Sequence, residues 1–153
     1  MERAVFLIGV DHRFQRIGSL GLPQEVTDEF ASALKQLVAE NQIRGIAEEM
    51  STEGLGMHRS AGGSLPFLVA QELGLPHLYC DPSKETRQRL GIESITEREQ
   101  YWLEQLRGFS AFPCLFVLGA THIASFSRLL HLSGFTASVL FEDWLPSTPL
   151  EEA

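Results

Sequence analysis

The stretch 5-VFLIGVDH-12 decides how the rest of the chain is read. Its apolar run has strand length and no polar alternation, the pattern of a strand covered on both faces. It ends by presenting a histidine three residues after Gly9. A second stretch, 113-PCLFVLGATH-122, repeats the device with Gly119 and His122.

Three further short apolar runs, 43-IRGIAE-48, 76-PHLYCD-81 and 136-TASVLFED-143, read as strands of the same kind. Helical patterns lie between them. After Pro23, Val26, Phe30, Ala33, Leu34 and Leu37 recur at helical spacing. Ser64 suits an N-cap, with Pro66 in the first turn and Gly74 past the end. Thr96 and Glu99 fit a capping box ahead of Trp102, Leu103 and Leu106, with Gly108 closing that helix. Residues 122–133 carry Ile123, Phe126, Leu129 and Leu130, with Thr121 as the expected cap.

Strands that alternate with helices predict an α/β fold, a three-layer α/β/α sandwich around a mainly parallel five-stranded sheet. Two strand orders suit the pattern, 3-2-1-4-5 and 2-1-3-4-5. The 153 residues fit one domain, taken as residues 1–143, and 144–153 read as a surface tail.

Composition limits the function. Lys plus Arg number 12 and Asp plus Glu 20, a formal net charge of −8. Such an acidic chain repels a phosphate backbone, so nucleic acid is a disfavoured partner. No run approaches the roughly 20 apolar residues that span a bilayer. The run 4-AVFLIGV-10 is too short for a signal-peptide core, so the expected location is the cytoplasm. Cys80 and Cys114 lie in apolar surroundings and read as buried thiols. There is no G-x-G-x-x-G after the first strand, no P-loop and no G-x-S-x-G elbow. A small-molecule substrate is the expected partner, and a homo-oligomer is compatible with the sequence.

Ligands of an open parallel sheet bind beyond the carboxyl ends of its strands. There the strands deliver Asp11 and His12, then Glu48 and Glu49, then Asp81, then His122, then Glu142 and Asp143. Histidines and carboxylates together suit a divalent metal: Zn, Mn, Fe, Co or Ni. The expected ligands are His12, Glu48, Asp81 and His122. Glu48, Glu49, His12 and His122 are the candidate catalytic residues. Adjacent residues of a strand face opposite ways, so Glu48 and Glu49 are expected to serve different roles. The glycine-rich loops 12–23 and 50–63 bring Arg13, Arg16, His58 and Arg59 to the rim, where they suit a substrate carboxylate or phosphate. His77 and His131 look incidental.

The pair 9-GVDH-12 and 119-GATH-122, with 46-IAEE-49 between them, resembles the TraB/Tiki superfamily. That group takes in pheromone-shutdown, Tiki metalloprotease, erythromycin-esterase-like and haem-binding ChaN-like proteins. It shares two Gly-x-x-His motifs and a glutamate ending the second strand. The resemblance implies a common site of His12, Glu48 or Glu49, and His122, metal-bound as in the Tiki members, and it favours Glu48.

The sequence therefore predicts a small hydrolase, divalent-metal-dependent, acting on a small ester, amide or phosphoester. A bound ion would activate water and a spare glutamate would act as base. The alternatives are a non-catalytic module that binds a small ligand or a protein, and a metal-free hydrolase with a histidine base.

Overall fold

The structure is a computed structural model, and it describes residues 2–17, 22–57 and 62–147. Five strands form one all-parallel sheet: β1 Ala4–Val10, β2 Gly45–Glu48, β3 His77–Tyr79, β4 Cys114–Gly119 and β5 Thr136–Phe141. The α/β architecture is as the sequence predicts. The strand order, 3-2-4-1-5, is neither of the two expected. β4 lies at the centre, between β2 and β1. Its six residues, CLFVLG, are all buried, which only a strand flanked on both edges and covered on both faces achieves. β5 is an edge strand, as both expected orders have it, but it is not covered on both faces: Val139 and Phe141 are exposed.

Two helix layers cover the sheet. On one face, α1 (Gln24–Glu40) and α3 (Leu65–Leu73) pack Val26, Phe30, Leu34 and Val69 against Ile8, Val10, Ile46, Leu115 and Val117. On the other, α5 (Ile95–Arg107) and α6 (Ile123–Leu132) pack Trp102, Leu106, Phe126 and Leu130 against Val5, Leu7, Ala47, Phe116 and Leu118. The two sets alternate along each strand, as the pleat requires. Two short helices complete the described residues, α2 (Thr52–Met57) and α4 (Lys84–Leu90). Part of each expected glycine-rich loop is thus helical: α2 in the second, and a 3-10 turn at His12–Gln15 in the first.

The helix caps show where local signals compete. Ser64 accepts from the Phe67 N–H and Gly74 closes α3 at φ 69°, as expected. The capping box of α5 is Ser94 with Glu97, two residues before the expected pair. That register turns Glu99 inward, on the stripe of Trp102, Leu103 and Leu106. Thr121 does not cap α6; it lies in a 3-10 turn, Ala120–His122, and His122 holds the cap position without a side-chain capping bond. Trp144, expected on a surface tail, is buried against Phe14 and Phe30 with ring centroids 5.3 and 4.8 Å away. Both cysteines are buried and free, and burial pushes the Cys114 thiol up to about 12. Among the described residues, no helix is long and apolar enough to cross a membrane.

The order 3-2-4-1-5 keeps the feature that matters for a site. The chain leaves β1 for the α1 layer and leaves β4 for the α6 layer, so the carboxyl ends of these paired strands diverge and open a crevice. Gly9 is needed where the chain returns beside it. A Cβ there would stand 2.1 Å from the Glu142 carbonyl oxygen, and the Trp144 N–H donates to the Gly9 carbonyl at 2.7 Å. Gly9→Ala must therefore push the segment after β5 away. We expect a loss of about 3 kcal/mol in urea unfolding, at the upper end for overpacking. A loss below about 0.5 kcal/mol, the size of a neutral surface change, would contradict the tight approach.

Candidate active site at the carboxyl edge of β1, β2 and β4

The site is built on the two glutamates that end β2. Glu48 continues the face of Ile46 and points into the α3 layer, fully buried. Glu49 turns to the opposite side, where its carboxylate meets α5 and β4. Its Oε1 accepts from the Gly119 N–H at 2.8 Å and its Oε2 from Arg98 Nη2 at 2.7 Å. A Cβ on Gly119 would lie 2.9 Å from His12 Nε2 and 3.3 Å from Glu49 Oε1. The glycine before the second histidine is thus the gap into which the first histidine and the glutamate fit.

Both histidines reach Glu49. His12 Nε2 stands 3.6 Å from Oε1, and His122 Nε2 stands 3.6 Å from Oε2. The other ring nitrogen of each is tied. His122 Nδ1 lies 2.8 Å from the Glu99 carboxylate, which also accepts from Ser125 Oγ at 2.6 Å. A carboxylate only accepts here, so His122 carries its proton on Nδ1. His12 Nδ1 lies 2.7 Å from Gln15 Oε1. The Gln15 amide has one allowed orientation, because its Nε2 donates to Glu48 Oε1 at 3.0 Å and to the Glu49 carbonyl at 3.2 Å. Its oxygen must then accept, so His12 too is protonated on Nδ1. Nε2 of each ring faces the site. His12 is the accessible one, with its side chain 41% exposed against 8% for His122.

Glu48 is absent from this group. Its carboxylate accepts from Gln15 and from Ser64 Oγ, and His77 Nε2 lies against Oε2. The histidine that looked incidental is therefore half of a buried pair. Asp81 lines the cleft, but Arg87 donates to it at 2.9 Å, Trp102 Nε1 at 3.0 Å, and Arg98 through Nη2 at 3.0 Å.

The expected metal set of His12, Glu48, Asp81 and His122 is thus not brought together. Among the described residues, no group of three or more His, Cys, Asp or Glu side chains is placed to hold an ion. The reason is visible in the donors. Glu49, Asp81, Glu48 and Glu99 each accept from two or more protein groups, and the Arg98 guanidinium occupies Glu49 and Asp81 where a cation would need them. The residues present do not fit a metal as they stand.

A cleft of about 160 Å³ opens here, lined by His12, Arg16, Glu49, Asp81 and Arg98, with Ser51 and Gly54 beside them. A second, of about 290 Å³, shares Ser51, Gly54 and Asp81 with it and extends to Lys84 and Arg87. Of the arginines expected at the rim, Arg13 is turned to Asp11, which it meets at 3.0 Å. Burial works against the Asp11 charge, yet the Arg13 bonds and charge hold its carboxyl below the usual range. Arg16 lines the cleft, and burial lowers its pKa. His58 and Arg59 lie outside the described residues. Glu142 and Asp143 are exposed beyond β5.

Sequence reasoning missed Gln15, His77, Arg98 and Glu99. Glu99 had a signal: an acid three and four residues before Trp102 and Leu103 shares their buried stripe. His77 joins Glu48 through the β2–β3 register, which pairs Ile46 with His77 and Glu48 with Tyr79. No local pattern encodes that register. Arg98 and Gln15 carry no sequence signal that marks them.

Two outcomes test this geometry. In Gln15→Leu, His12 should lose its fixed Nδ1–H tautomer, read from the ring nitrogen shifts by NMR at a pH where the ring is neutral; an unchanged tautomer would remove Gln15 from the account. His77→Leu should cost about 3 kcal/mol or more in stability, because it strips one partner from a fully buried carboxylate. A near-neutral His77→Leu would mean that Glu48 is not held as a charge.

No protein-family model matches the chain, and no curated protein and no solved structure matches it either.

Proposed function

We propose that the chain is a small cytoplasmic hydrolase in which His12 is the general base, acting on a small ester, amide or phosphoester in the cleft beside it. One observation carries the reading. The Gln15 amide, itself fixed by Glu48 and the Glu49 carbonyl, holds the proton of His12 on Nδ1 and leaves a half-exposed Nε2 open to the cleft. An imidazole oriented by a buried acceptor is the arrangement general-base catalysis needs.

The roles follow from position. His12 Nε2 takes a proton from water while the water oxygen bonds to the substrate carbonyl carbon or phosphorus. The imidazolium returns that proton to the leaving oxygen or nitrogen as its bond to the substrate breaks. Glu49 Oε1, 3.6 Å from Nε2, stabilises the imidazolium between these steps. Arg98 and the Gly119 N–H hold Glu49 in place. His122, tied to Glu99, closes the far side of Glu49. The resemblance of the two Gly-x-x-His strand ends to the TraB/Tiki superfamily supports a shared role for His12, His122 and the β2 glutamate, with Glu49 in place of Glu48.

A divalent-metal hydrolase is the second reading. What favours it is the pair of Nδ1-anchored imidazoles that approach one carboxylate from two sides, a common way to present metal ligands. It requires Arg98 to release Glu49.

The test is a screen of nitrophenyl esters, anilides and phosphoesters with untagged protein, alongside bound metal by plasma mass spectrometry. Activity should appear without stoichiometric metal. His12→Ala should lower kcat about a hundredfold or more with little change in melting temperature. Glu49→Gln should lower kcat less. Turnover that survives His12→Ala would exclude His12 as base. One ion per chain, lost in His12→Ala and His122→Ala, would establish the metal reading instead. No turnover in any class would favour a non-catalytic ligand-binding module.

A further inference from the structure

The arginines of the carboxyl edge are unequal. Arg13 is held by Asp11, Arg87 by Asp81, and Arg98 by both Glu49 and Asp81. Every acid on this side of the cleft is engaged by at least one of them. Arg16 is the exception: among the described residues it makes no ion pair, and its Nε is buried with no hydrogen-bond partner. The acid whose charge acts on it, Asp11, already holds Arg13: Oδ1 accepts from the Arg13 backbone N–H and Oδ2 from its guanidinium.

A guanidinium partly withdrawn from water with no carboxylate beside it among the described residues favours an oxyanion that can accept from the part of it lining the cleft. Arg16 lines the same cleft as His12 Nε2. Resting on the hydrolase reading above, we infer that the cleft takes a substrate bearing an oxyanion, a carboxylate or phosphate group, and that the Arg16 guanidinium is its anchor.

The surrounding charges permit this. The Glu49 and Asp81 carboxylates face the cleft already matched by Arg98 and Arg87, so an incoming anion meets them as ion pairs. Arg16 supplies the unmatched charge, in a planar fork suited to two parallel bonds with an oxyanion. An anchored anion would hold the scissile group of the same molecule beside His12, so Arg16 is a specificity-determining residue and not the base.

Calorimetric titration of the full chain with inorganic phosphate and with acetate tests the anchor without turnover. Wild type should bind at least one of them saturably, and methyl acetate, the neutral counterpart, should not bind. Phosphate alone or acetate alone would assign the oxyanion. Arg16→Gln should weaken binding at least tenfold, and Arg13→Gln should leave it within twofold. Arg16→Lys, which keeps the charge and loses the fork, covers the case in which Arg16→Gln does not fold; it should bind several-fold more weakly. Equal affinity in wild type and either Arg16 variant would overturn the proposal, as would the absence of saturable binding of both anions. The same titration on His12→Ala separates the two readings. Anion binding retained there, with no hydrolysis in wild type, would keep the anchor and discard the hydrolase. Hydrolysis of neutral substrates with no anion binding would do the reverse.

Discussion

A carboxylate with no access to water sits where β2 ends, and the site is organised around its demand for donors. Glu48 cannot be left ionised in that position without partners, since desolvating a lone carboxylate costs several kcal/mol even after relaxation. Its partners come from three separate parts of the chain: Gln15 from the turn after β1, Ser64 from the N-terminus of α3, and His77 from β3. One buried acid therefore draws together the two segments that follow β1 and precede α3. Gln15 is the link to chemistry. By donating to Glu48 it is obliged to accept from His12, and that sets which nitrogen of His12 faces the cleft. The buried glutamate acts on the open histidine through one amide.

The pleat does the sorting between the two adjacent acids. Glu48 follows Ile46 into the α1–α3 layer, and Glu49 goes to the layer of α5, where Arg98 and the Gly119 N–H receive it. The same constraint explains the two Gly-x-x-His strand ends. Gly9 yields space to the returning chain after β5, and Gly119 yields space to His12 and Glu49. The two glycines therefore serve different neighbours, although the motif spells them alike. Only the second is part of the site.

Much of this was legible in the sequence, and the division is physical. Strand-length apolar runs alternating with periodic helices carry the layer architecture, and β4, with its run CLFVLG, announced a strand buried all round. The gathering of His12, Glu49 and His122 followed from their places at strand ends. Strand order was less legible: neither expected order puts β4 at the centre, and the runs of β1 and β4 are nearly equal in apolar character. The choice between Glu48 and Glu49 was a matter of one residue's phase, which a register not written in the local pattern decides. Arg98 carried no mark in the sequence, because its partners Glu49 and Asp81 come from distant strand ends, while Glu99 was read as a capping residue and in fact faces His122.

Charge pairing then accounts for what the acids do not do. A chain of net charge −8 that places Glu49, Asp81 and Glu99 at one edge has the composition of a cation site. The structure supplies the cations itself. Arg98 spans Glu49 and Asp81, Arg87 adds to Asp81, and the Trp102 N–H completes it. Arg98 also lies over the Trp102 ring, 5.6 Å from its centroid. A guanidinium held by two carboxylates and an aromatic face is a fixed charge that needs no loading and leaves with no chelator. What remains unmatched at this edge among the described residues is of the opposite sign, the Arg16 guanidinium with its orphaned N–H. The described residues of an acidic protein thus form a local site whose open valence favours an anion, because the acids there are matched by arginines and Arg16 is not matched by an acid.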